Sequence, residues 1–434
     1  MPHAGRLALL LALLGLTATL TTVPAATAGA ASGESSATIS LSSAVVDERS
    51  GRGFTPPSGA LLSDPMIGGR KRLILNRVIR SVRNTAKGEF IRLAVWNYDD
   101  RATTNALLDA HHRGVHVQVV VANSVRNGNW NRTVAALNAN RKDRSFAVRC
   151  RGGCRSAAIL HAKFVLISRV RKAHNISMVG SFNLTRAAGF RQWNDLVTTR
   201  DKEFYRSLVG TFHEYARDHR LARPFQVTDL GKQKITLWPS IGRNTIRDEL
   251  ERVRCKIPAD EVRNGQRRTK IRIAIAGWFD DFGTNIAKQL RTLWGRGCDI
   301  KIITTLAGRG VNRTLRSRRG RGPVPIRQVA IDRNQDRVPE RYLHMKAMAI
   351  TGFFDGDPRA DVLITGSPNW SARAQRSDEI VVRFLDVPKL ARQYSGHVDR
   401  LYSSPWSHRR TTAEPLLARM ATGSPALPEW FELD

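Results

Sequence analysis

Two pairs of residues in this chain combine a histidine with a lysine two positions later. The pairs are His161 with Lys163 and His344 with Lys346, and no other histidine of the eleven has a lysine at that spacing. In an extended strand, residues two apart point to the same face, so each pair presents an imidazole beside an ammonium group. An imidazole can attack phosphorus or move a proton near neutral pH, and an ammonium group can hold a phosphate oxygen. The pairs therefore predict chemistry on a phosphate ester.

A second pattern, Gly-Ser-x-Asn, follows each pair. It occupies residues 180–183 and 366–369. The side chains of Asn183 and Asn369 could join the two lysines in holding non-bridging phosphate oxygens, where charge develops in the transition state. A lone His-x-Lys is often incidental, but His, Lys and Asn that occur together in the same order in both halves rarely arise by chance.

Together, the paired motifs resemble those of the phospholipase D superfamily, in which two such motifs from two lobes or two subunits meet in one active site. The resemblance extends over nearly the whole mature chain. It implies an α/β fold of two similar lobes, each a β-α-β sandwich-type sheet flanked by helices, that are related by a pseudo-two-fold axis. It also implies phosphodiesterase activity.

In such a site, one imidazole attacks phosphorus and forms a covalent phosphohistidine, while the opposite imidazole protonates the leaving alcohol oxygen. Water then reverses the proton roles and frees the enzyme. The resemblance implies that His161 is the nucleophile and that His344 is the acid. This chemistry needs neither a metal ion nor a cofactor, and we expect none.

Each histidine needs an acceptor that fixes its tautomer and stabilises the imidazolium, as in a catalytic triad. An acidic residue follows each Gly-Ser-x-Asn at a similar interval and matches the downstream acidic position of the superfamily. We expect Asp195 and Glu379 to be these acceptors, with Asp378 as the second choice in the second half. The competing interpretation is a solvated acidic residue at a strand edge.

One departure from the superfamily concerns the fifth residue after each motif lysine, which is often aspartate. Here the positions hold Ser168 and Thr351. In the superfamily this aspartate supports structure rather than chemistry, so the departure weakens assignment to a subfamily more than it weakens activity. It leaves open a degenerate protein that binds phosphates without catalysis.

Hydrophobic periodicity predicts a β-α-β unit in each half, which would position the motifs. In the first half the predicted elements are a strand over 91–96, a helix over 103–112 that ends at Gly114, and a strand over 115–122. In the second half they are a strand over 271–275, a helix over 284–293 that ends at Gly297, and a strand over 300–304. The offset between matching positions drifts only from 180 to 186, which indicates a duplication. A duplicated lobe usually packs on its twin about a pseudo-two-fold axis, and such an axis would bring both motifs to one cleft.

A length of 434 residues exceeds the usual size of a single core and favours two domains. We expect lobe 1 over residues 53–230 and lobe 2 over residues 231–434. Small polar residues without periodicity predict a flexible leader over residues 29–52.

The first 28 residues are typical of a signal peptide. A short basic segment precedes an apolar run over residues 7–20 and a small-residue cleavage signal at residues 26–28. A membrane anchor is the alternative, but the apolar run is short, and no later stretch is long and apolar enough to span a bilayer. The sequence therefore predicts a secreted protein.

Export permits disulfides, and the four cysteines divide between the halves. We expect Cys150 to pair with Cys154 and Cys255 to pair with Cys298. A zinc site with four cysteine ligands would need a second closely spaced pair, which Cys255 and Cys298 do not provide.

The net charge of +33 predicts an anionic partner: nucleic acid, an anionic membrane surface or an acidic polymer. Two basic loops precede the motif strands, over 308–327 and over 123–155, and are expected to rim the cleft. The candidate substrate-binding residues in these loops are Arg316, Arg318, Arg319 and Trp130. Arginines with an interleaved aromatic suit a nucleic-acid backbone and anionic phospholipid head groups alike. The competing interpretation is that these loops are simply solvated.

The sequence thus predicts a secreted, monomeric phosphodiesterase of phospholipase D type that hydrolyses phospholipids or also transfers the phosphatidyl group. The first alternative is a secreted, metal-independent endonuclease of the same superfamily, which the charge favours. The second alternative, from a different class, is a non-catalytic cationic protein that binds membranes or nucleic acid.

Overall fold

The computed structural model describes residues 53–140, 142–262, 264–336, 338–409 and 432. The predicted signal peptide and the predicted leader lie outside the described residues. Within these ranges the strands form a seven-stranded and an eleven-stranded sheet. We call the elements before residue 226 lobe 1 and the elements from residue 226 onward lobe 2, so that each lobe is built around one of the two sheets.

Lobe 1 contains the elements of the first half of the chain. Its strands are β1 (Gly59–Leu62), β2 (Phe90–Val95), β3 (His116–Val121), β4 (Phe146–Arg149), β5 (Phe164–Val170), β6 (Ala173–Gly180), β7 (Gln192–Trp193) and β8 (Asp195–Thr199). Its helices are α1 (Leu73–Arg83), α2 (Arg101–His112), α3 (Gly128–Leu137), α4 (Arg186–Phe190) and α5 (Lys202–Arg217).

Lobe 2 repeats this series. Its strands are β9 (Gln226–Asp229), β10 (Gln233–Leu237), β11 (Lys270–Trp278), β12 (Asp299–Ala307), β13 (Ile326–Ile331), β14 (Arg341–Leu343), β15 (Lys346–Phe354), β16 (Asp357–Gly366), β17 (Ile380–Phe384) and β18 (Ser407–His408). Its helices are α6 (Thr245–Glu251), α7 (Asp280–Gly295), α8 (Arg309–Leu315), α9 (Ala372–Arg376) and α10 (Pro388–Tyr402).

The two sheets share one strand order. Lobe 1 runs β4-β3-β2-β5-β6-β8-β1, and lobe 2 contains the matching run β13-β12-β11-β15-β16-β17-β10. In each run the first three strands are parallel and the remaining pairs are antiparallel. The α/β fold of two similar lobes is therefore confirmed.

The predicted β-α-β units are also present, as β2-α2-β3 and β11-α7-β12. Helix α2 begins after Asp100, whose side chain accepts from the backbone N–H of Thr103 at 2.9 Å and so caps the first turn. The chain leaves the two helices at Gly114 and Gly297, which have φ of +82° and +96°. Residues with a side chain rarely adopt this conformation, and this explains why the helices end there.

Strand alternation divides the core into layers. In β5, Phe164 and Leu166 face a central apolar cluster between the two sheets, whereas Val165 and Ile167 face the outer helices of lobe 1. Helices α5 and α10 fill the central layer, α1 to α3 cover the outer face of lobe 1, and α6 to α8 cover that of lobe 2. The largest cluster is therefore shared by both lobes. No helix within the described ranges is long and apolar enough to cross a lipid bilayer.

Short strands near the lobe boundary pair in two ways. Strand β7, in the first half of the chain, pairs with β14, and β9 pairs with β10 at the edge of the lobe 2 sheet. Residues 226–229 thus hydrogen-bond to lobe 2 although they precede residue 230. The boundary at about residue 230 stays a prediction.

Both predicted disulfides are present. Cys150 is bonded to Cys154 in lobe 1, and Cys255 is bonded to Cys298 in lobe 2. The described residues include no free cysteine.

We expect the two disulfides to differ in their effect on stability, because a longer closed loop constrains the unfolded chain more. The sequence separations are 4 and 43 residues. Replacing Cys255 and Cys298 with Ser should lower the free energy of unfolding by about 4 kcal/mol, and replacing Cys150 and Cys154 with Ser by about 2 kcal/mol. Equilibrium denaturation in urea measures both values. Equal losses would contradict the loop-length explanation.

Candidate active site

Both His-x-Lys segments lie where the two lobes meet. The backbone N–H groups of His161 and Ala162 donate to the carbonyl oxygen of Asp378 in lobe 2, at 2.9 and 2.8 Å. In the equivalent contact, the N–H of His344 donates to the carbonyl oxygen of Trp193 in lobe 1 at 2.9 Å. Each motif is thus hydrogen-bonded to the other lobe just before it enters its own strand.

The side chain of His161 is held by a carboxylate from lobe 2. Its Nδ1 lies 2.7 and 2.9 Å from the two carboxylate oxygens of Glu379, and both side chains are fully buried. The hydroxyl of Ser367, from the second Gly-Ser-x-Asn, donates to the same carboxylate at 2.5 Å. Because a carboxylate only accepts, Nδ1 carries the proton and Nε2 is the nitrogen available for chemistry.

The side chain of His344 is held by an amide from lobe 1. Its Nδ1 lies 2.8 Å from Oδ1 of Asn194, and the hydroxyl of Ser181 donates to that oxygen at 2.9 Å. The prediction that Asp195 is the acceptor in this half is wrong. Each imidazole is nevertheless fixed by a residue of the opposite lobe, so the two lobes complete each other's histidines.

A one-residue shift between the lobes explains the error. The serine of each Gly-Ser-x-Asn accepts from the backbone N–H of Asp195 in lobe 1, at 3.0 Å, and from that of Ile380 in lobe 2, at 2.9 Å. Asp195 is therefore the counterpart of Ile380, and Asn194 is the counterpart of Glu379. In the sequence of both lobes, an acidic residue is followed by two apolar residues, at 195–197 and at 379–381. This pattern suggests an alignment of Asp195 with Glu379. A shift of one residue along a strand moves a side chain to the opposite face.

Asp195 instead joins the lobes from the other face of β8. Its Oδ2 accepts from the hydroxyls of Thr365 at 2.5 Å and of Tyr394 at 2.7 Å, both in lobe 2. Burial raises the pKa of the Asp195 carboxyl, although the hydroxyl donors oppose the shift. The Asp195 carboxylate therefore forms buried hydrogen bonds between the lobes rather than holding an imidazole.

Asp378, the second choice as an acceptor, supports the site through its backbone. Its carbonyl oxygen accepts from the His161 segment, and its carboxylate accepts from the backbone N–H of Arg155 at 2.9 Å. Burial raises the pKa of the Asp378 carboxyl. Arg155 directly follows the Cys150–Cys154 disulfide, which therefore constrains the loop that contacts Asp378.

The two lysines fold back on their own motifs. Lys163 donates to the carbonyl oxygen of His161 at 2.6 Å, and Lys346 donates to that of His344 at 2.8 Å. The Lys163 ammonium also lies 5.5 Å from the ring centre of Trp96. These contacts hold each ammonium group against the backbone of its own motif.

The two motif asparagines are oriented by the backbone of neighbouring strands. The Oδ1 atom of Asn183 accepts from the N–H of Asn97 at 3.4 Å, and that of Asn369 accepts from the N–H of Gly277 at 3.0 Å. Because the oxygen is used in this way, the amide N–H₂ group is the part of each side chain that can donate to an anion.

Glu432 lies in the same site, and our sequence analysis did not identify it. Its carboxylate accepts from the amide groups of Asn183, Asn97 and Gln192, at 2.9, 2.9 and 2.8 Å. Burial raises the pKa of the Glu432 carboxyl, while the amide donors oppose the shift. No repeat or motif surrounds this position in the sequence, so no sequence signal could have found it.

The loop that carries the predicted substrate-binding arginines contacts the end of β12 that is distant from the His344 segment. Helix α8 carries the chain from the carboxyl end of β12 back towards its start, and the arginine loop follows that helix. Arg321 in this loop donates to the carbonyl oxygen of Cys298, just before β12, at 2.8 Å. The His344 segment lies near the other end, where Thr305 donates to the carbonyl oxygen of Leu343 at 2.7 Å, and seven residues of strand span roughly 23 Å. The contact of Arg321 does not support the prediction that this loop rims the cleft, and a substrate-binding role of Arg316, Arg318 and Arg319 stays a prediction.

The structure does not support a substrate-binding role for Trp130, because this side chain packs in the outer apolar cluster of lobe 1. It is 4% exposed and lies on the buried face of α3 with Thr133 and Leu137. The spacing of these residues follows the helical period and could have indicated a core position.

Ser168 and Thr351, which replace the usual aspartate, each bind a carboxylate. Ser168 donates to Glu89 at 2.6 Å, and Thr351 donates to Asp361 at 3.1 Å. The carboxylate is therefore supplied by a neighbouring residue at both positions. Among the residues that the structure describes, no group of three His, Cys, Asp or Glu side chains is placed to hold a metal ion.

Comparison with protein families gives two matches. The family described as "Cardiolipin synthase, PLD-like domain" matches residues 79–216 and 265–402, which together make up more than half of the chain. One match falls in each half, and each contains one His-x-Lys and one Gly-Ser-x-Asn motif. The resemblance to the phospholipase D superfamily is thereby confirmed. No curated protein matches this chain.

Several solved structures match this chain. Phosphatidylserine synthase from Haemophilus influenzae Rd KW20 has a TM-score of 0.54 and 12% identity over 84% of this chain and 95% of that chain. Polyphosphate kinase from Porphyromonas gingivalis has a TM-score of 0.48 and 17% identity over 74% of this chain, which spans only 44% of the kinase. The phospholipase D family member Nuc from Salmonella typhimurium has a TM-score of 0.29 and 18% identity over 38% of this chain and all of that chain. At these identities, the likeness to the synthase shows the fold alone.

Substitutions at two adjacent residues distinguish the acceptor from the buried lobe contact. Asn194→Ala removes the group that holds His344 and should lower kcat for a p-nitrophenyl phosphodiester by about tenfold or more with little loss of stability. Asp195→Ala leaves two buried hydroxyls without their acceptor and should cost about 3 kcal/mol of unfolding free energy. We expect kcat of the folded Asp195→Ala protein to change less than that of Asn194→Ala. The reverse pattern would restore Asp195 as the acceptor.

Proposed function

Because the chain belongs to the family of PLD-like domains described as cardiolipin synthase type, we propose that it cleaves phosphodiesters through a phosphohistidine intermediate. One observation carries this proposal: both imidazoles have Nδ1 fixed by an acceptor from the opposite lobe. This arrangement leaves Nε2 of each ring as the reactive atom, one for attack and one for proton transfer.

The difference between the two acceptors supports distinct roles. Attack by Nε2 of His161 on phosphorus puts positive charge on that ring, and the carboxylate of Glu379 stabilises the charge. His344 is held by the neutral amide of Asn194. A neutral partner at Nδ1 stabilises the imidazolium less than a carboxylate does, which favours release of a proton from Nε2. We therefore assign His161 as the nucleophile and His344 as the general acid.

The proposed reaction has two steps. In the first, the bond between His161 Nε2 and phosphorus forms, the bond from phosphorus to the leaving oxygen breaks, and His344 gives its proton to that oxygen. In the second, a water molecule attacks phosphorus, His344 takes a proton from the water, and the phosphorus to nitrogen bond breaks. Lys163, Lys346 and the amide groups of the motif asparagines would hold the non-bridging oxygens in both steps.

We propose a phospholipid as the substrate, which the family description supports. Transfer to another alcohol would follow if that alcohol replaced water in the second step. An endonuclease is the second candidate, because the net charge of +33 favours a polyanionic substrate. Two disulfides favour an oxidising compartment, which supports secretion. Both motifs lie on one chain, so a monomer would have a complete site.

The first test traps the intermediate. The His344→Ala protein should still form a phosphoenzyme slowly with a p-nitrophenyl phosphodiester, since p-nitrophenolate needs little protonation to leave. The His161→Ala protein should form none. Acid quench followed by peptide mapping should place the phosphate on the peptide that contains His161. Phosphate on His344 in the wild type would reverse the roles, and none on either histidine would refute covalent catalysis.

The second test compares substrates. Purified protein should release head-group alcohol from phosphatidylcholine vesicles in excess EDTA, because the proposed proton transfers and attack use imidazole alone. Plasmid DNA under the same conditions is the competing substrate. Faster cleavage of DNA would favour the endonuclease. Activity that requires added Ca²⁺ or Mg²⁺ on a soluble phosphodiester would contradict the mechanism.

A further inference from the structure

The Glu432 carboxylate contacts the motif asparagine of lobe 1 directly and connects to His344 through two intervening side chains. One carboxylate oxygen accepts from Asn183, the Gly-Ser-x-Asn asparagine of lobe 1, and from Gln192, at 2.9 and 2.8 Å. The amide oxygen of Gln192 in turn accepts from Asn194 at 2.8 Å, and Asn194 holds His344. The carboxylate therefore lies within two residues of an imidazole along a continuous hydrogen-bonded chain.

Its backbone is also fixed in the site. The N–H of Glu432 donates to the hydroxyl of Tyr342 at 2.7 Å, and Gln192 donates to the same hydroxyl at 2.6 Å. Tyr342 lies on β14, which leads directly into the His344 motif. Glu432 is 1% exposed, so its carboxylate has exchanged water for protein donors.

The three amide donors form an anion-binding group, which we call the amide cradle: Asn97, Asn183 and Gln192. Neutral N–H donors that converge on one point stabilise an anion. Asn183 belongs to the motif that is expected to hold a non-bridging phosphate oxygen. A carboxylate and a phosphodiester are both singly charged and present two oxygen acceptors, so they compete for the same donors.

The cradle exists in lobe 1 alone among the two equivalent positions. Gly277 occupies the place of Asn97, because the backbone N–H of each donates to the motif asparagine of its lobe. A Cβ atom at Gly277 would lie 2.8 Å from the ring of Phe279 and 3.1 Å from the side chain of Asn369, so lobe 2 has no room there for an asparagine. The anion site is thus a specific feature of lobe 1.

We propose that the Glu432 carboxylate is an intramolecular competitor of substrate: it occupies the amide cradle in the resting protein, and a phosphodiester must displace it to reach His161. This inference rests on the proposed function. The complete burial of both imidazoles is consistent with it, because no substrate can contact them until side chains in the site move.

The size of the effect follows from mass action. If the cradle is open in a fraction f of the molecules, the apparent dissociation constant of an anion rises by 1/f. A carboxylate on the same chain has an effective concentration on the order of millimolar, so it competes well with substrates of moderate affinity. We take f of about one tenth, which makes the expected change about tenfold.

The experiment compares Glu432→Ala and Glu432→Gln with the wild type in the full chain. The alanine removes the competitor, and the glutamine removes its charge while keeping its size should the alanine protein fail to fold. Glu203→Ala is the matched control, since Glu203 is an exposed carboxylate on α5 whose partner is Arg206. Titration calorimetry measures the dissociation constant for inorganic phosphate, and bis(p-nitrophenyl) phosphate gives KM and kcat.

Both Glu432 variants should bind phosphate about tenfold more tightly than the wild type and show a KM lower by a similar factor, with kcat unchanged. The Glu203→Ala protein should match the wild type. Unchanged phosphate binding and KM would overturn the inference, and so would a large loss of kcat, which would make Glu432 part of the catalytic machinery. Tighter phosphate binding without turnover in any protein would support occupation of the cradle and refute the proposed function instead.

Discussion

The hydrogen bond from each imidazole to the opposite lobe is the contact on which the site depends. Glu379 in lobe 2 holds His161, and Asn194 in lobe 1 holds His344. Neither lobe alone contains both a motif histidine and the acceptor that holds it. The observed geometry of the imidazoles therefore requires both lobes to be docked. The central apolar cluster and the cross-lobe bonds of Asp195 keep them docked. The contacts that stabilise the interface between the lobes therefore also maintain the geometry of the site.

Duplication supplies a symmetric scaffold, and a few substitutions make it asymmetric. The strand orders of the two sheets match, and the backbone bonds of the two motifs are equivalent. The two lobes differ in chemistry at two pairs of equivalent positions. Asn194 of lobe 1 corresponds to Glu379 of lobe 2, and Asn97 of lobe 1 corresponds to Gly277 of lobe 2. Under the proposed mechanism, the difference between Asn194 and Glu379 would assign the nucleophile and the acid to particular histidines before substrate binds. The amide cradle adds a proposed anion site to lobe 1, whereas Gly277 leaves no room for the equivalent of Asn97 in lobe 2.

The charge of the chain acts at long range, whereas the site uses local donors. The net charge of +33 would raise the local concentration of anionic substrates around the protein. The arginines of the loop after α8 belong to this long-range field, since their loop contacts the end of β12 that is distant from His344. Within the site, anions meet amide, ammonium and imidazole groups that are buried and fixed. In the proposed function, attraction and catalysis would therefore be carried by different residues.

Sequence alone determined the features that depend on residue type and local period. The motifs identified the superfamily, the 3.6 and 2.0 periodicities located both β-α-β units, and the cysteine positions predicted both disulfides. Tertiary structure decided which side chains meet. It showed that Asn194, rather than Asp195, holds His344, because a one-residue shift reverses the face of a strand and leaves the apolar pattern unchanged. It placed Trp130 in the core and Glu432 against Asn183, since contacts between residues 249 positions apart leave no local pattern in the sequence.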